Sequence, residues 1–118
     1  MNKRTTMITI ILLFAVAAVF GIVLIIPVLQ GKTPSRALVF THGGIAASAL
    51  VMLLLRYFNE PGTVPQWSVI LFVVAALGGF VLLASHLRKN SVPKPLALVH
   101  AAAAVVAFLI LLFSVFNS

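Results

Sequence analysis

Four long apolar stretches, residues 5–31, 37–55, 61–87 and 95–118, none containing Lys, Arg, Asp or Glu, alternate with short polar segments. Each supplies the roughly 20 apolar residues that a helix needs to cross the hydrocarbon of a bilayer. Proline and glycine mark the breaks, with Gly31 and Pro34 in the first, and Pro61, Gly62 and Pro65 in the second. The pattern predicts helices over about 6–26, 36 to 56 or 59, 67–86 and 95–116, with Pro27 closing the first. Connections this short leave no room for a soluble domain. The expected architecture is therefore all-α, a single four-helix transmembrane bundle spanning 1–118. No internal repeat is evident beyond a narrow, small-residue section shared by helices 2 and 4.

Composition agrees with lipid as the main solvent. Of 118 residues 63% are hydrophobic, and one acid stands against eight Lys and Arg. The net charge of +7 would suggest nucleic acid in a soluble protein. Here the basic residues flank apolar spans, where they meet headgroups and fix orientation, so nucleic acid is excluded as a partner. The absence of cysteine rules out disulfides, thiolate ligands and thioether haem attachment. The start, Met1 to Arg4 before an apolar run with Ala15-Val16-Ala17, resembles a signal peptide. The run continues too far for one, which favours an uncleaved first helix.

Five basic residues, Lys32, Arg36, Arg88, Lys89 and Lys94, lie in or beside the first and third loops. Lys3, Arg4 and Arg56 belong to the opposite side. The positive-inside rule then places loops 1 and 3 in the cytoplasm and both termini outside, in a bacterial inner membrane. Trp67 opens helix 3 at the depth where an indole anchors. Glu60, the only acid, falls in the second loop, whereas proton relays and cation carriers keep an acid within their spans. Transport is accordingly the weakest membrane function for this chain. No serine–histidine–acid arrangement, phosphate loop or dinucleotide fingerprint appears.

Chemistry is confined to three histidines. Alternation puts His42, His86 and His100 on one side of the membrane. His42 follows Arg36 by six positions and His100 follows Lys94 by six, so both sit about 9 Å along their helices from a basic residue, at 1.5 Å per residue. Beneath His42 come Ala46, Ala49 and Leu53 at helical spacing, and beneath His100 come Ala104, Ala107 and Leu111. Two such stripes facing each other would frame a slot between helices 2 and 4. A b-type haem suits it, with His42 and His100 as axial metal ligands and Arg36, Arg88 or Lys94 near its propionates. The same two imidazoles can instead hydrogen-bond to Thr41, Ser48, a backbone carbonyl or each other, setting helix register. A three-histidine metal site is disfavoured, because His86 is shallower and no carboxylate is near. His86 is expected at the interface.

Helices carrying Thr41-His42-Gly43 and Leu98-Val99-His100-Ala101, each with small residues below, resemble the haem-bearing helices of small membrane cytochromes of the b561-like kind. The resemblance covers helices 2 and 4. It implies a four-helix core, His42 and His100 as an axial pair, and electron exchange with a quinol or a redox protein. A two-haem member needs a second histidine pair near the opposite face, which this chain lacks. The competing expectation is a non-catalytic accessory subunit that packs against other membrane subunits.

Overall fold

The computed structural model describes residues 2–89 and 91–117. It consists of four helices, α1 (Lys3–Leu29), α2 (Arg36–Asn59), α3 (Gln66–Leu87) and α4 (Lys94–Phe116). All four are long and apolar enough to cross a membrane. The body measures 42 × 23 × 21 Å, and its long axis matches the roughly 40–45 Å of a bilayer with its headgroups.

Helix α1 begins three residues earlier and ends three residues later than the apolar pattern suggests. Its start is fixed by Asn2, whose side chain accepts a hydrogen bond from the Thr5 amide at 2.8 Å. Its end passes through Pro27, which tolerates the last turn. Gly31 then adopts φ 74°, and the Lys32 and Gly31 amides return to the Pro27 and Val28 carbonyls. That double bond is a Schellman stop, which places a left-handed residue just after the helix. Lys89 occupies the matching position after α3 with φ 59° and donates to the His86 carbonyl.

The helices form a square in which α1 packs on α2 and α4, and α3 packs on α4 and α2. The hairpins α1–α2 and α3–α4 are the tighter pairs, and the diagonal helices make no close backbone approach. Inward positions follow steps of three and four: Met7, Ile10, Phe14 and Ala17 on α1, and Ser68, Phe72 and Ala75 on α3. Ala49, Leu53, Ala107 and Leu111 from the other two helices are fully buried among them. The stripes expected below the two histidines thus do face inward. Outward positions such as Phe58, Phe80 and Phe113 are exposed and meet lipid.

These inward residues repeat. Phe14 and Phe72, Ala17 and Ala75, Gly21 and Gly79, His42 and His100, Ala49 and Ala107, and Leu53 and Leu111 all stand at one constant offset of 58 positions. Gly31 and Lys89, the left-handed residues that follow α1 and α3, share it. The expectation of no repeat is therefore corrected: the chain is a tandem of two helix hairpins. Because α1 and α3 run the same way, the halves are related by an approximate two-fold axis along the membrane normal. Phe14 and Phe72 stack across that axis, with centroids 4.0 Å apart and planes 9° from parallel.

Candidate functional site between the paired histidines

The two hairpins build the same local arrangement twice. In the first, α2 presents His42 to α1, and its Nδ1 lies 2.8 Å from the Ala17 carbonyl oxygen. In the second, α4 presents His100 to α3, and its Nδ1 lies 2.7 Å from the Ala75 carbonyl oxygen. A carbonyl only accepts, so each Nδ1 carries a proton, which in the neutral ring leaves Nε2 as the acceptor. No protein partner occupies either Nε2 among the described residues. The rings face each other across the bundle with centroids 6.2 Å apart and planes at 86°.

Glycine makes this approach possible. A Cβ built on Gly21 would stand 3.2 Å from His42 Cε1, and one built on Gly79 would stand 3.2 Å from His100 Cε1. Both separations are shorter than the roughly 3.5–4.0 Å at which carbon contacts are favourable. Gly43 and Gly44, beside His42 in sequence, meet nothing within 4 Å and face outward. The small residues that matter for the imidazoles therefore lie on α1 and α3, not on the histidine-bearing helices.

The site divides the bundle into unlike halves. Toward loop 2 and the N-terminus, one apolar cluster runs from the Phe14–Phe72 stack through Ile10, Leu53 and Leu111. Toward loops 1 and 3, Leu24, Leu38, Leu82 and Leu96 are only half-buried, as are His42 and His100 themselves. The main apolar cluster thus stops at the histidine layer, and beyond it only scattered positions such as Val28, His86 and Ala97 are buried. Beyond it the bundle ends in a mouth between the two loops, a cavity of about 240 Å³ lined by Val28, Gly31, Lys32, Thr33, Lys89, Ser91, Val92 and Lys94.

Of the other residues singled out from sequence, Lys94 lines this mouth, while Arg36 and Arg88 are exposed at helix ends on the same side. His86 is not brought to the pair. Seven residues separate it from Gly79, about 10 Å along α3. Nor does it sit open at the interface: it is 7% exposed, and its Nδ1 is buried without a partner. It occupies the position equivalent to Val28, an apolar lining of the first hairpin. Among the described residues no three His, Cys, Asp or Glu gather as a metal-binding group. Glu60, at the opposite end, pairs with Arg56 at 3.4 Å.

Sequence reading missed Gly21, Gly79 and the Ala17 and Ala75 carbonyls as parts of the histidine layer, and Lys32 and Lys89 as parts of the mouth. The constant offset between the halves is the pattern that would have revealed the first set. Comparison with family models, curated proteins and solved structures finds no match to this chain.

Proposed function

We propose that this membrane bundle is a small electron-transfer protein or cytochrome subunit in which His42 and His100 hold one b-type haem on the approximate two-fold axis. The observation that carries the reading is the opposed imidazole pair, each fixed by an Nδ1–H bond to a neighbouring helix. His42 and His100 would be the residues to hold the iron, which would take an imidazole nitrogen from each. Their ring centroids are 6.2 Å apart in an edge-on contact, close enough for both to serve one group. An Nδ1–H bond to a carbonyl is also what orients a ligating histidine and raises its basicity.

The haem, when bound, supplies reversible one-electron chemistry. The residues do the rest. Ala17 and Ala75 hold the ligand rings, Gly21 and Gly79 leave them room, and Leu24, Leu38, Leu82 and Leu96 supply apolar surface toward the mouth. Arg36, Arg88 and Lys94 are the basic partners for its carboxylates. Exchange with a quinol or a redox protein would then occur on the side of loops 1 and 3, which charge asymmetry assigns to the cytoplasm.

One observation favours a second reading. The two carbonyl bonds satisfy the imidazole donors without any cofactor, which suits an accessory subunit whose histidines only lock the hairpins. A visible spectrum of the purified protein, expressed with haem supplied, separates the two. The cytochrome reading expects Soret and alpha bands on reduction, lost in His42→Ala and in His100→Ala but kept in His86→Ala. Absence of those bands in the unsubstituted protein refutes it.

A further inference from the structure

The mouth between loops 1 and 3 has its own chemistry, independent of whether a haem is bound below it. Three lysines, Lys32, Lys89 and Lys94, line one small cavity together with the hydroxyl residues Thr33 and Ser91, over a floor of Val28 and Val92. The chain's single acid, Glu60, is at the far end of the bundle. None of the three ammonium groups has an ion-pair partner among the described residues.

The contrast with the opposite end is informative. There a cavity of similar size, about 250 Å³, is lined by Lys3, Arg56, Asn59 and Glu60. Its arginine is answered twice, by the Glu60 carboxylate at 3.4 Å and by the Lys3 carbonyl at 2.9 Å. The mouth has hydroxyl donors and ammonium groups with nothing anionic to receive them. Like charges gathered without a counter-charge are stabilised by any anion that enters.

The backbone adds a second observation. Lys89 adopts φ 59° where the first hairpin uses Gly31. A left-handed residue with a side chain is strained relative to glycine, so this position places a lysine at the mouth against local preference.

We propose that the mouth binds a phosphate group, donated in the membrane by the headgroup of an anionic lipid. The three lysines supply charge, Thr33 and Ser91 supply hydroxyl donors, and Val28 and Val92 meet the apolar part of the ligand. Basic residues close to an anionic bilayer surface strengthen attachment about fivefold each. The cytoplasmic leaflet, to which these loops are assigned by charge, carries such lipids.

The test is native mass spectrometry of the full-length protein released from detergent containing equal amounts of phosphatidylglycerol and phosphatidylcholine. The expected result is selective retention of phosphatidylglycerol, weakened about fivefold by each of Lys32→Gln, Lys89→Gln and Lys94→Gln. Lys3→Gln with Arg4→Gln, at the other end, leaves retention unchanged. Lys89→Gly guards against misfolding, since it relieves the left-handed strain while removing the charge: thermal stability holds or rises, and retention still falls. Displacement by added inorganic phosphate identifies a site that also takes free phosphate; resistance to it identifies a headgroup site. Equal retention of the two lipids, or undiminished retention in all three glutamine variants, overturns the proposal.

Discussion

Gly79→Val tests the histidine layer most directly. A valine there carries a Cβ whose position is 3.2 Å from His100 Cε1 and two further methyl groups on it. The ring cannot retreat freely, because its Nδ1 is bound to the Ala75 carbonyl at 2.7 Å. Overpacking of this kind costs about 1–3 kcal/mol, and losing an interhelical hydrogen bond within a membrane adds about 0.6 kcal/mol. Valine recovers a few tenths of a kcal/mol over glycine in helix propensity. The net expectation is a loss of about 1–3 kcal/mol. Gly21→Val should behave alike, since its Cβ meets His42 Cε1 at the same 3.2 Å. Gly43→Val is the control: nothing lies within 4 Å of its Cβ, so stability should stay within about 0.5 kcal/mol. Unfolding in mixed dodecylmaltoside and SDS micelles, followed by circular dichroism, measures all three. Were Gly79→Val as stable as the Gly43→Val control, the close imidazole approach to α3 would be refuted.

Leu53→Ala and Leu111→Ala should each cost about 2–5 kcal/mol in the same assay, since both side chains are fully buried in one cluster. Their double substitution should depart from additivity, because the two share that core. Ser68→Ala should cost less, about 0.6 kcal/mol, by removing the 2.8 Å bond from Ser68 Oγ to the Ala107 carbonyl.

Class, span number and approximate boundaries were legible in the sequence because lipid imposes them. Charges cannot enter the hydrocarbon freely, so Arg36, Arg56, Arg88 and Lys94 delimit helices whatever the tertiary structure. The equal depth of His42 and His100 was legible for the same reason, each being measured from a basic residue. The duplication was not. Its matches are scattered at steps of three and four, and in a chain that is 63% hydrophobic many unrelated positions also match by chance. At some equivalent positions the halves differ in chemical class: Ile10 against Ser68, Val28 against His86, Gly31 against Lys89. Only the contacts of His42 with Ala17 and of His100 with Ala75 make the offset unmistakable.

Duplication also explains where a single site must sit. A feature built once per hairpin appears on opposite sides of the axis, and it becomes one site only where both copies reach the centre. The Phe14–Phe72 stack and the His42–His100 pair both do so, the first as packing and the second as paired imidazoles. From His42 to Asn59 the far end of α2 lies about 25 Å away at 1.5 Å per residue. That distance is filled by the apolar cluster, with no further histidine. A redox group on this pair would therefore be served from the side of loops 1 and 3. On that same side the halves differ in Val28 against His86 and Gly31 against Lys89. The two loops there are unlike, with Lys89 standing where the first hairpin has Gly31, so a ligand bound in the mouth meets two chemically different surfaces.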